Sequence, residues 1–287
     1  MPVIRIDDPA DARLEDYRNV PDAELIAERG VFVAEGRLVV ARLLEDSRFR
    51  ARSVLVTEAA RQAMSGVLDV HRKVDNTDVP VYVVPQWIIS AVTGFHIHRG
   101  CLAIGERAAV PPWGEVAASA RRMVVIERVA NADNVGGIFR HAAAFGVDGI
   151  LLEPRCTDPL YRKAIRTSMG AALQIPFARM APWPSALHEL REQGWSLIAL
   201  TPTAERTLED VASGVNVASG VSRKIAIVLG HEGDGLSTEA LQACDLHARI
   251  PMAAGVDSLN VSTACAIALY ELTREKGVGG HLPRTLL

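Results

Sequence analysis

Ile225-Ala-Ile-Val-Leu-Gly230 runs directly into His231-Glu-Gly-Asp-Gly-Leu236, and further on Arg249-Ile-Pro-Met252 leads to Asp257-Ser-Leu-Asn-Val-Ser-Thr263. Each half is an apolar run that stops at a turn marked by glycine or proline and carrying a few polar side chains. Runs of about four to eight aliphatic residues read as buried strands of a parallel sheet. Ligands of open α/β sheets bind just past the carboxyl ends of strands. Loops that present Glu232, Ser258 and Asn260 therefore predict one site assembled from both halves.

Working backward, Trp195 to Leu200 is a further strand ending in Thr201-Pro-Thr203, and Arg122 to Ile126 is another. The latter feeds Glu127-Arg-Val-Ala-Asn-Ala-Asp-Asn-Val-Gly-Gly-Ile-Phe-Arg-His-Ala-Ala-Ala-Phe-Gly146, in which Asp133 or Asn134 can cap a helix. Ile138, Ala142 and Phe145 would face inward, and Gly146 would stop the helix. Asn134 and Arg140 then stand at opposite ends of about two turns and reach solvent near a strand's carboxyl end. Val147 to Leu152 is the next strand, and Ser262 to Thr273 a closing helix. Between them, Glu153 to Met180 carries Arg155, Arg162, Lys163, Arg166 and Arg179 against Asp158 alone after Glu153. Nucleic acid, if bound, is expected here.

The amino-terminal part has its own alternation. Residues 1–30 suggest one or two short helices; strands follow at Val31 to Gly36, Arg52 to Thr57, Val79 to Val84 and around Cys101 to Ile104, with helical segments at Arg37 to Leu44, Glu58 to Leu68 and Pro85 to Val92. This is the pattern of a small α/β domain. Its arginines, Arg37 among them, and the glycine-flanked loop holding His96, His98 and Arg99 fit either a solvated face or an RNA-contacting one. Pro111-Pro112-Trp113-Gly114 and the small residues after it have the composition of a linker. The predicted organisation is a first domain over 1–110, with 1–30 as a helical extension, a linker at 111–120, and a second domain over 121–287.

The 287 residues are long for one core, in keeping with two domains. No stretch reads as a signal peptide or spans a bilayer, so a cytoplasmic protein is expected. Cys101, Cys156, Cys244 and Cys265 are scattered and pair with no histidine at ligand spacing, so no metal site and no disulfide framework is expected. A net charge of -3 leaves any polyanion to a local patch.

Singly, these motifs are common. Together, Asn134-Val-Gly-Gly-Ile-Phe-Arg140, then Val228-Leu-Gly-His-Glu-Gly-Asp-Gly-Leu-Ser237, then Ile250-Pro-Met252 with Ser258-Leu-Asn-Val-Ser262 resemble, in order and spacing, the three motifs of the SpoU or TrmH-type branch of the SPOUT RNA methyltransferases. Arg166-Thr-Ser-Met-Gly170 is similar to the segment between them. The first domain resembles the L30e-like RNA-binding module often joined to that fold. The resemblance implies an α/β protein with a parallel-sheet SPOUT domain threaded into a deep trefoil knot, acting as a homodimer with its site at or near the subunit interface. It also implies S-adenosylmethionine as cofactor, held by Leu200, Thr201, Leu229, Gly230, Ile250, Met252, Ser258 and Leu259, and RNA as substrate; the basic segment and the first domain then offer Arg155, Arg162, Lys163, Arg166, Arg37 and Arg99 as its contacts.

The implied reaction is methylation of a ribose 2'-hydroxyl, with Asn134, Arg140, Glu232, Ser258 and Asn260 as the catalytic set. A free guanidinium stays protonated, so Arg140 acts either as an unusually assisted base or as a phosphate or alkoxide stabiliser. Glu232 could hold Arg140 or accept backbone amides, and Ser258 and Asn260 could cap the helix that follows. His231 stands where the family often has asparagine, and Asn131-Ala-Asp133 where it often has a proline turn. Ribosomal RNA is favoured as target. Transfer RNA, or an RNA-binding protein of the same fold without turnover, are the alternatives. A dinucleotide-binding fold is disfavoured because the glycine pattern at 230–235 lies late in the chain and in the wrong order.

Overall fold

The computed structural model describes residues 1–74, 79–94, 100–217 and 224–274. His96, His98 and Arg99 lie outside these. The apolar runs become two sheets. The first contains β1 (Val3–Arg5), β2 (Val31–Glu35), β3 (Ala51–Val56), β4 (Val81–Val83) and β5 (Cys101–Glu106) in the order β1-β4-β3-β5-β2, with β5 antiparallel to both of its neighbours. The second contains β6 (Arg122–Ile126), β7 (Gly149–Leu152), β8 (Phe177–Arg179), β9 (Trp195–Leu200), β10 (Lys224–Leu229) and β11 (Leu246–Ala248) in the order β11-β9-β10-β6-β7-β8. Every pairing in that sheet is parallel.

Parallel strands bury both faces, which is why they read as unbroken apolar runs. Along β6, Val124 and Ile126 enter one core while Met123 and Val125 enter the other. Helices Ala132–Ala144 and Val261–Thr273 cover the first face, and Ser185–Glu192 and Thr238–Ala243 the second.

Several boundaries differ from expectation. The stretch read as a linker contains a helix, Trp113–Ser119, whose Val116 and Ala117 are buried in the second sheet's core. Pro111-Pro112 starts this helix rather than a flexible tether, because proline suits a helix's first positions. The apolar run at 249–252 is a loop, and the strand is Leu246–Ala248 just before it. The helix expected from Glu58 to Leu68 is two, Glu58–Ala63 and Ser65–Val74, broken at Met64. Strands β1 and β8 were not foreseen, being only three residues each.

The two sheets share one core. Phe32 packs edge-on against Phe49 at 5.4 Å, Phe49 lies 6.4 Å from Phe177, and Phe177 meets Phe139 at 5.8 Å. Backbone and side-chain bonds cross at the same place: Arg48 N–H donates to the Leu173 carbonyl (3.0 Å), Arg42 Nη1 to that of Met169 (2.6 Å), and Gln174 Nε2 to Asp46 Oδ2 (2.6 Å).

Candidate active site

The helix Ala132–Ala144 follows β6 and is pressed between two neighbours. A Cβ on Gly136 would come 2.6 Å from the Ala164 carbonyl oxygen, and one on Gly137 would come 2.7 Å from Ser262 Oγ. The paired glycines therefore let this helix touch both the helix Arg162–Thr167 and the helix Val261–Thr273. Its cap is Asn131, whose Oδ1 accepts the Asp133 N–H at 2.8 Å, not Asp133 or Asn134. That frees Asn134, buried in the first turn, for other partners.

Asn134 Nδ2 donates to Glu232 Oε1 at 2.7 Å, and Asn260 Nδ2 donates to Asn134 Oδ1 at 2.8 Å. Asn260 in turn caps the helix Val261–Thr273, its Oδ1 accepting the Ser262 N–H at 2.9 Å and the Thr263 N–H at 3.3 Å. Capping and site-building thus fall on one residue. The expected alternatives for Glu232, an arginine clamp or backbone amides, give way to the Asn134 amide. Arg140 is exposed and, among the described residues, makes no hydrogen bond or ion pair with Glu232. Six positions beyond Asn134, it sits about 9 Å along the axis and on a different face.

Glu232 lies in the loop after β10. Gly230 begins that loop because a Cβ there would meet the backbone of Gly235 and Leu236 at 2.3 Å. The loop closes on itself through reciprocal bonds of 3.1 Å between the backbones of His231 and Gly235. His231 Nδ1 accepts the N–H groups of Gly233 (3.0 Å) and Asp234 (3.2 Å), which fixes its ring against the turn.

Between this loop and the ends of β9 and β11 opens a cleft with an empty volume of about 680 Å³. Leu200, Thr201, Leu229, Gly230, Ile250, Met252, Ser258 and Leu259, the residues expected to hold a cofactor, all line it. Pro202, His231, Val261 and Ala264 line it too and were missed. The walls are mainly aliphatic, with Thr201, His231, Glu232 and the exposed Ser258 as polar groups.

The basic segment is less free than its composition suggests. Arg155 pairs with Glu153 (2.7 Å), Lys163 with Asp133 (2.7 Å), Arg166 with Glu35 (3.7 Å) and Arg162 with Asp22 (3.9 Å). The acids come largely from distant sequence, so a local count overstates the positive field. Arg162, with its side chain 14% exposed, is a bond between the domains; Arg155, Lys163, Arg166 and Arg37 remain exposed. The Lys163 ammonium beside Asp133 holds that carboxyl below its usual range. Burial, and then the charge of Arg140, lower the pKa of His141. Among the described residues no cluster of metal-ligating side chains occurs, and no helix is long and apolar enough to cross a membrane.

Residues 121–270 match the model of the SpoU rRNA methylase family. The chain belongs to that family. An uncharacterized tRNA/rRNA methyltransferase of Mycobacterium bovis is 39% identical over 279 residues, covering 96% of this SpoU-family chain and 92% of the relative. Among solved structures, an AdoMet-bound rRNA methyltransferase of Sinorhizobium meliloti superposes with a TM-score of 0.75 at 24% identity, covering 94% of this chain and 97% of the other. The SpoU methyltransferase AviRb of Streptomyces viridochromogenes superposes with a TM-score of 0.71 at 20% identity, covering 92% and 96%. The SpoU-type chain therefore shares its fold with these enzymes across both sheets.

Proposed function

We propose that this SpoU-family RNA methyltransferase uses S-adenosylmethionine to methylate a ribose 2'-hydroxyl of structured RNA, with ribosomal RNA the favoured target. The observation that carries the reading is the junction of the aliphatic cleft with the Glu232–Asn134–Asn260 chain of hydrogen bonds. The cleft fits the cofactor by its lining, aliphatic side chains with a few polar groups, which is the usual make-up of a small-molecule site. Leu200, Leu229, Ile250, Met252 and Leu259 would take its apolar parts, and the Glu232 carboxylate suits a cation. When bound, the cofactor supplies an electrophilic methyl group.

The chain's own residues then have to align a hydroxyl and ease loss of its proton. Asn134 holds Glu232 in place, and Asn260 holds Asn134, so the carboxylate is presented from a fixed scaffold. A guanidinium is a fixed cation, so the exposed Arg140, which pairs with no carboxylate among the described residues, acts in this reading as the phosphate or alkoxide stabiliser rather than as a base. Because Arg140 stands apart from the cleft of its own subunit, we read the active form as a homodimer in which it serves a shared site. Exposed Leu259 at the cleft, with exposed Ile267 and Tyr270 on the helix Val261–Thr273, offers apolar surface for such a contact. Arg37, Arg155, Lys163 and Arg166 are the RNA contacts in this reading, with residues 1–110 as an L30e-like substrate-binding domain. The trefoil knot and a cytoplasmic location belong to the same proposal.

The test is incubation of the purified chain with radiolabelled S-adenosylmethionine and separate ribosomal and transfer RNA fractions, then nuclease digestion and mass spectrometry. A 2'-O-methylated nucleoside from ribosomal RNA is expected. Label in a base would overturn the ribose assignment, label only in transfer RNA would overturn the target, and no label in either would favour a binding protein.

A further inference from the structure

Two residues that do not line the cleft hold its wall. Glu127 and Arg128 follow β6 directly. The Glu127 backbone N–H donates to the Leu229 carbonyl at 2.8 Å, at the entry to the loop that carries Glu232. Its carboxylate, on a residue 1% exposed, accepts from the Ser237 N–H (2.8 Å) and the Ser237 hydroxyl (2.7 Å), at the exit of the same loop. A third donor is the Trp183 indole N–H at 2.8 Å. All three donors come from other segments, so an acceptor-only side chain is required here.

Arg128 reaches the tip. Its Nη2 donates to the Gly235 carbonyl at 3.5 Å, and its Nη1 lies 3.6 Å from the Asp234 carboxylate. The residue adopts φ = +54°, a region that side-chain-bearing residues rarely enter and that persists only where surroundings enforce it. Glu153 Oε2 accepts the Arg128 N–H at 3.2 Å and helps enforce it. One dipeptide thus grips the loop at entry, tip and exit.

We infer that Glu127 and Arg128 are positioning residues that set the affinity of the cleft for its cofactor by fixing the 230–236 loop. This rests on the reading that the cleft binds S-adenosylmethionine. Glycine adopts φ = +54° without strain, so Arg128→Gly keeps the fold while removing the tip contacts.

Titration calorimetry of the full chain with S-adenosylmethionine should show Arg128→Gly binding about three- to tenfold more weakly. KM for the cofactor should rise in parallel while kcat at saturating cofactor stays within about twofold. Arg128→Lys should recover part of the loss through Asp234, and Glu127→Gln should weaken binding while shifting Trp183 fluorescence. Parental affinity in Arg128→Gly, or a fall in kcat with KM unchanged, would overturn the inference. If the parent chain itself fails to bind, the cofactor reading falls; if it binds and the variants match it, only the positioning role falls.

Discussion

Asn260 Nδ2 lies 2.8 Å from Asn134 Oδ1, a bond between residues 126 positions apart that joins the start of one helix to the first turn of another. Because Asn260 also caps its own helix, one substitution can separate two duties. Asn260→Ala should lower stability by about 1 kcal/mol through the lost cap and reduce methyl transfer. Asn260→Asp keeps an acceptor at the helix start but cannot donate to Asn134. With the cap kept, its stability should fall only by what the lost Asn134 bond accounts for, about 1 kcal/mol, while transfer falls about tenfold. Calorimetric melting and initial rates distinguish the two effects.

Arg140 is exposed and makes no hydrogen bond or ion pair among the described residues, so Arg140→Ala should change stability by less than about 0.5 kcal/mol and leave cofactor binding intact while abolishing transfer. Mixed with inactive Glu232→Ala subunits, it should regain activity if each site draws on two chains. Mixtures that stay inactive despite verified subunit exchange would confine the site to one chain.

The shared aromatic core makes its own prediction. Phe49 stands between Phe32 and Phe177, on the seam of the two sheets. Phe49→Ala should cost about 3–5 kcal/mol, the range for a buried phenylalanine, and calorimetry should still show one transition rather than two. A variant that melts in two separate steps would show that the sheets are independent folding units.

Burial pushes the thiols of Cys101, Cys156, Cys244 and Cys265 up to about 12 from a reference of 9.0. Above pH 9 the unfolded chain releases these protons while the folded chain keeps them, so stability present below pH 9 declines as pH rises toward 12. Thermal midpoints recorded upward from pH 8 should fall beyond about pH 9. At pH 8 the native thiols should react with a colorimetric disulfide only at the rate of unfolding.

Strands β6, β7, β9 and β10 were legible because burial on both faces leaves an unbroken aliphatic run, as in Ile225 to Leu229. Glu232, Ser258 and Asn260 stood out because such strands end where ligands bind, while the rest of the cleft lining came from the resemblance to the SpoU family. What escaped depended on distant sequence. Asp22 and Glu35, more than a hundred residues upstream, quench Arg162 and Arg166, and no local charge count includes them. Trp113 to Ser119 resembled a tether because small residues serve both flexible chain and close helix packing; only the burial of Val116 and Ala117 distinguishes them. Glu127 drew no notice in the sequence because a lone carboxylate after a strand carries no pattern, and its importance lies in where Ser237 and Trp183 arrive.

The phenylalanine run from Phe32 to Phe139 bears on how a target nucleotide is chosen. That continuous packing sets the span between Arg37, at the start of the helix Arg37–Glu45, and Glu232 at the cleft. In the proposed reading, with Arg37 as an RNA contact, an RNA gripped at one end offers the other only the nucleotide whose separation matches; lengthening or shortening the RNA between those points should then move the mark rather than weaken the grip.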